Sequence, residues 1–122
     1  MPKKILVIED DPAQVLMLQL RLKEEGFEVL SATDGKEGLR QAAEQTPDLV
    51  LLDVVLPGMS GIDVCIALKD DPRTKEIPVL LLTASAMRGL EDRVKTFGVA
   101  GCLVKPYEMS QLLEMIGGIL HA

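Results

Sequence analysis

The stretch Leu49-Val50-Leu51-Leu52-Asp53-Val54-Val55-Leu56-Pro57-Gly58 sets one carboxylate inside an aliphatic run and closes on a turn pair. A short apolar run with no alternating polar face suits a strand covered by helices on both sides, the usual condition of a parallel sheet. An ionised carboxylate within such a run is costly unless something compensates it. The segment therefore predicts a buried central strand with a polar site at its end.

Working outward, four more short runs recur at near-regular spacing, and the strand candidates are residues 5–8, 28–31, 49–52, 79–82 and 102–104. The run at 28–31 alternates instead of being wholly aliphatic, which marks an edge. Between the runs the period becomes helical. Val15, Leu18 and Leu22 share one face, as do Met87, Leu90 and Val94 with Phe97 one step further, and both stripes read as core-facing. Asp11 before Pro12, and Asp34 three residues before Glu37, are helix-start signals. Gly26 and Gly98 are stop signals for the first and fourth helices. Gly117 and Gly118 weaken the last helix, each by about 1 kcal/mol relative to Ala. Alternating strand and helix gives an α/β fold of five βα units closing into a parallel sheet. At 122 residues the chain is expected to form one domain over 1–122, with a radius of gyration of roughly 14 Å.

Composition narrows the function. Thirteen Lys and Arg against 19 Asp and Glu give a net charge of −6, which disfavours DNA, RNA or anionic membrane as direct partners. Aromatic residues make up 2% and Trp is absent, leaving little for base stacking. Cys65 and Cys102 lie in apolar segments and read as reduced core thiols, which points to a cytoplasmic protein. The N-terminal apolar run is too short for a signal peptide or a membrane span. His121, the lone histidine, reads as part of a solvated tail.

In a parallel sheet every strand ends on the same rim, where ligands of open α/β sheets bind. Strand one runs into Glu9, Asp10 and Asp11, strand three into Asp53, strand four into Thr83 and strand five into Lys105. Each residue singly could be a cap or a structural ion pair, but four strand ends carrying complementary groups point to a site. Lys105 supplies one positive charge against about three negative ones, so the cluster calls for a divalent cation. An all-oxygen ligand set suits Mg²⁺, or Mn²⁺, and not zinc. A carboxylate beside such a cation, an amine and a hydroxyl is equipped for phosphoryl transfer. Asp53 is the candidate nucleophile, Asp10 and Glu9 the metal-side acids, and Thr83 and Lys105 the groups that hold phosphoryl oxygens. Neither G-x-x-x-x-G-K-[ST] nor G-x-G-x-x-G occurs, so the sequence carries no nucleotide cradle.

Glu9-Asp10, Asp53 with Leu56-Pro57-Gly58-Met59-Ser60-Gly61, Thr83-Ala84 and Lys105-Pro106 together resemble the receiver domain of bacterial two-component response regulators. The resemblance covers essentially the whole chain. It implies a single-domain flavodoxin-like three-layer sandwich with strand order 2-1-3-4-5, the order of a chemotaxis member of this family. It also implies phosphoryl transfer from a sensor histidine kinase or histidine phosphotransfer protein to Asp53, followed by self-catalysed hydrolysis. Mg²⁺ would be held by Asp10, Asp53 and the backbone carbonyl of Val55, with Glu9 in the outer part of the site. The Lys105-Pro106 bond is expected to be cis, Ala84 to leave the site open, and the chain to act as a monomer or a phosphorylation-dependent dimer on an unnamed output protein.

One position departs from the family pattern, because Cys102 stands where receivers often carry Tyr or Phe. Readout should then depend more on the loop after strand four and the helix near Met87. Two other functions compete. A Mg²⁺-dependent aspartyl-phosphate phosphohydrolase resembling haloacid dehalogenases would need an acid two residues after the nucleophile, where Val55 stands. A vestigial receiver acting only as an interaction module would not need all five key side chains.

Overall fold

The computed structural model describes residues 2–84 and 98–121. Five strands, β1 (Lys4–Ile8), β2 (Glu28–Ala32), β3 (Leu49–Asp53), β4 (Val79–Thr83) and β5 (Gly101–Val104), form one sheet in the order β2-β1-β3-β4-β5. Every neighbouring pair is parallel. This is the flavodoxin-like arrangement expected. Four helices lie among the described residues: α1 (Pro12–Glu24), α2 (Gly35–Gln45), α3 (Gly61–Asp70) and α4 (Met109–His121). The stripe of Met87, Leu90, Val94 and Phe97 lies outside the described residues.

Alternation along the strands divides the core into two layers, because successive side chains point to opposite faces. Leu6, Ile8, Val50, Leu52, Val79 and Leu81 face Ala42 of α2 and Val64, Cys65 and Leu68 of α3. Ile5, Val7, Leu49, Leu51, Leu80 and Leu82 face Leu18 and Leu22 of α1 and Leu112 and Ile116 of α4. The central strands β3 and β4 are buried along their whole length, while β2, an edge, is exposed or half-buried over most of its residues.

The start signals hold in detail. Asp11 accepts a hydrogen bond from Ala13 N–H at 3.0 Å, and Asp34 accepts one from Glu37 N–H at 2.8 Å. The reciprocal half of the second capping box is missing because the Glu37 carboxylate is engaged by Arg40 and Gln41. α4 runs through Gly117 and Gly118 to His121, since burial of Leu112 and Ile116 outweighs the weak local propensity. On α1 a second stripe points outward, with Leu16 57%, Met17 40% and Leu20 56% exposed.

Candidate functional site

Register brings the polar groups together. Ile8 pairs with Leu52, Asp53 with Leu82, and Thr83 with Val104, so Glu9, Asp53, Thr83 and Lys105 share one rim. Glu9 continues the line of β1, its N–H donating to the Ala32 carbonyl at 3.0 Å. The Lys105 N–H donates to the Thr83 carbonyl at 2.6 Å, which seats the lysine directly after β5. The Lys105-Pro106 bond is cis, as the resemblance implies.

Lys105 Nζ donates to Asp53 Oδ2 at 3.0 Å and to Glu9 Oε2 at 3.2 Å. The other Asp53 oxygen, Oδ1, accepts from Val55 N–H at 3.0 Å, and Glu9 Oε1 accepts from Asp11 N–H at 3.2 Å. Glu9 and Asp53 are 2% and 6% exposed, whereas Asp10 is exposed. Glu9, Asp10 and Asp53 each offer a carboxylate oxygen within 4.8 Å of the others. Such an all-oxygen set, half buried and half open, fits a hard divalent cation.

The charges are unbalanced and the titration behaviour shows it. Burial, then the hydrogen bond and negative charge of Asp53, push Glu9 from 4.5 up to about 7. Burial also works to raise Asp53, but its interaction with Glu9 and the hydrogen bonds from the Val55 amide and Lys105 outweigh it and hold Asp53 below its ordinary value. Burial alone would lower Lys105, and its two carboxylate partners raise it instead. The two acids are thus short of positive charge, and Glu9 is the one driven toward its neutral form.

The structure brings Glu9, Asp10, Asp53 and Lys105 into contact range and sets Thr83, 2% exposed, at the end of the adjoining strand. Val55 is 68% exposed on the loop beyond β3. Cys102 is half-buried and packs against the layer that contains Cys65. Burial pushes the Cys65 thiol above its ordinary value, so it is a weak nucleophile.

Two residues carry roles that the sequence reading does not assign. Gly61, the first residue of α3, lies so close to the end of β3 that a Cβ on it would stand 2.2 Å from the Asp53 carbonyl oxygen. Its N–H donates to the Val54 carbonyl at 2.7 Å. A glycine where a good helix former would serve was the available signal. Tyr107 is the second. Its hydroxyl is buried beside the cluster without a hydrogen-bond partner, a feature that no sequence pattern encodes.

Comparison with known proteins gives a consistent result. A family model described as "Response regulator receiver domain" matches residues 5–117. The chain is 46% identical over 118 residues to the response regulator PleD of Caulobacter vibrioides, covering 95% of this chain and 26% of that protein. It therefore spans about a quarter of the length of that relative. It is 35% identical over 120 residues to the polar-differentiation response regulator DivK of Brucella anthropi, covering 98% of each. Among solved structures, a putative response regulator from Chloroflexus aurantiacus superposes with a TM-score of 0.93 at 34% identity over the full length of both chains.

Proposed function

The chain belongs to the response regulator receiver family, and from that membership we propose that it is a phosphoacceptor switch whose Asp53 takes a phosphoryl group from a phosphohistidine. Receivers are signalling domains that bind Mg²⁺ at an acidic pocket and interact with histidine kinases or phosphotransfer proteins. The observation that carries the reading here is the single amine of Lys105 on both Asp53 and Glu9. That arrangement leaves an ionised carboxylate poised beside a cation and short of positive charge.

In the proposed step an Asp53 carboxylate oxygen attacks phosphorus, an O–P bond forms, and the P–N bond of the phosphohistidine breaks. The electron pair stays on the imidazole nitrogen, which takes up a proton. Lys105 turns from the carboxylate pair to the transferred oxygens, and the Thr83 hydroxyl donates to another of them. Asp10, Asp53 and the Val55 carbonyl, with Glu9 behind them, would hold Mg²⁺, which supplies neutralisation of charge on the phosphoryl oxygens. Incubation with acetyl phosphate and Mg²⁺ is expected to add one phosphoryl group to the wild type and none to Asp53→Ala, read by intact mass. An unmodified wild type would leave only a binding module, and rapid multiple turnover would indicate a phosphohydrolase.

Cation binding should be coupled to the Glu9 proton. Because Glu9 titrates near 7 in the fold against 4.5 when unperturbed, the folded form binds more protons between those values. Its contribution to stability is full below the lower value and is lost as pH rises through the upper one. A cation that needs Glu9 ionised displaces this proton, so Mg²⁺ affinity is expected to rise by up to about tenfold per pH unit below about pH 7 and then level off. Calorimetric titration between about pH 5.5 and about pH 8 reads the slope. Glu9→Gln should flatten it, and a flat wild-type profile would contradict the coupling.

The outward stripe of Leu16, Met17 and Leu20 supports α1 as the face covered by the phosphodonor, because Met17 and Lys105 line the same groove beside the site. Leu16→Glu is expected to slow transfer from a phosphorylated histidine protein by about tenfold, the equivalent of about 1.4 kcal/mol. It should leave labelling by acetyl phosphate unchanged. Equal losses with both donors would place the defect in the chemistry instead.

A further inference from the structure

The Tyr107 ring packs against the layer that holds Ile5, Val7, Leu18 and Leu22. Its hydroxyl is the one buried side-chain polar atom among the described residues that lacks a hydrogen-bond partner. Burying a hydroxyl in this way is unfavourable, and native proteins seldom leave one unpaired without a reason. Tyr107 also lies within the electrostatic reach of Lys105, Glu9 and Asp53, and burial pushes its phenol above the ordinary value.

The surroundings suggest when the hydroxyl is satisfied. Tyr107 lines a groove with Gln14, Met17, Ala84, Lys105 and Pro106. Among the described residues that line the groove, Lys105 is committed to Asp53 and Glu9, which leaves the Gln14 amide as the other polar side chain facing Tyr107 there. Tyr107 follows Lys105 by only two residues, and the lysine must re-seat when the Asp53 oxygen it holds becomes part of an acyl phosphate. A change at Lys105 is thereby delivered to Tyr107.

We infer that Tyr107 is a conformational latch: its hydroxyl, dry and unpaired while Lys105 bridges Glu9 and Asp53, pairs with the Gln14 side-chain amide once Asp53 is phosphorylated. The inference rests on the phosphoacceptor reading and adds a device that stores a bias toward the loaded form. The resting state carries an unmet hydrogen bond that the loaded state makes good, so this pairing adds to the preference for the loaded form that the phosphoryl contacts set.

Tyr107 is the only tyrosine and Trp is absent, so the near-UV absorption band reports on this ring without interference from other phenols or indoles. The full chain is loaded with acetyl phosphate and Mg²⁺, and loading is verified by intact mass. Unloaded Tyr107→Phe is expected to melt about 3–8 °C above the wild type because the unmet hydroxyl is gone, and this advantage should vanish or reverse on loading. The wild-type tyrosine band should shift on loading, and Gln14→Leu should take up the phosphoryl group without that shift. Full loading with an unchanged melting gap, or a shift that survives in Gln14→Leu, would overturn the latch. A wild type that accepts no phosphoryl group overturns the phosphoacceptor reading and the latch with it, and the mass measurement distinguishes that failure from the other.

Discussion

Gly61→Ala is expected to cut the rate of phosphoryl uptake from acetyl phosphate by about a hundredfold while the protein still folds. The Cβ of an alanine would stand 2.2 Å from the Asp53 carbonyl oxygen, 2.6 Å from Val54 Cα and 2.9 Å from the Asp53 carbonyl carbon. All three atoms are backbone and cannot rotate aside as a side-chain methyl could. Either the start of α3 lifts or the end of β3 retreats, and in both cases the residue that bears the acceptor oxygen moves by about 1 Å, a displacement on the scale that costs such a rate factor. The accompanying loss of stability should be about 1–3 kcal/mol, as for other overpacked sites. Gly117→Ala is the control. It has open space at the Cβ position and should gain up to about 1 kcal/mol in stability with an unchanged rate. A wild-type rate in Gly61→Ala, measured by intact mass over time, would remove the claimed link between this glycine and the placement of Asp53.

Lys105→Met should produce the largest change in stability at the site. The substitution keeps the aliphatic stem but deletes the amine that meets Asp53 at 3.0 Å and Glu9 at 3.2 Å. Two nearly buried carboxylates then face each other without a counter-charge, and breaking a buried pair in this way costs about 3 kcal/mol or more. The loss depends on pH with a definite sign. Below the range in which Glu9 ionises, its proton keeps one of the two acids neutral and the penalty is small. Loss of Lys105, which holds Glu9 down, pushes that acid higher still, so the penalty grows as rising pH forces the second charge onto the pair. Urea unfolding at about pH 5.5 and about pH 8 should show the difference, and millimolar Mg²⁺ should restore most of the stability at the higher pH. It should not restore phosphoryl uptake, because in the proposed step the amine also meets the transferred oxygens. A loss equal at both pH values and insensitive to Mg²⁺ would mean that Lys105 acts through packing alone.

Much of this architecture is readable in the sequence for identifiable reasons. Strands buried on both faces leave uninterrupted aliphatic runs, so all five were located, and their ends differ from expectation by a single residue at most. The extra residues are Lys4, Ala32, Asp53, Thr83 and Gly101, which join the ladder through the backbone while being polar, charged or too small to extend an aliphatic run. The convergence of Glu9, Asp10, Asp53 and Lys105 follows from parallel topology, which puts every strand end on one rim. The outward stripe on α1 was not readable because apolar residues occupy more than one face of that helix, and periodicity alone does not say which face is covered. The roles of Gly61 and Tyr107 are hidden for another reason. Their significance lies in a close approach between backbones and in a missing hydrogen bond, and both are properties of three-dimensional packing.

The placement of the site on strand termini has an evolutionary consequence. Asp53 and Thr83 are last residues of strands, while Glu9 and Lys105 are the first residues beyond β1 and β5, so the polar cluster is anchored directly on the buried sheet. The solvent-facing helix residues and most of the connections carry none of that chemistry. Mutation can rewrite which proteins these surfaces recognise while the acceptor geometry stays fixed.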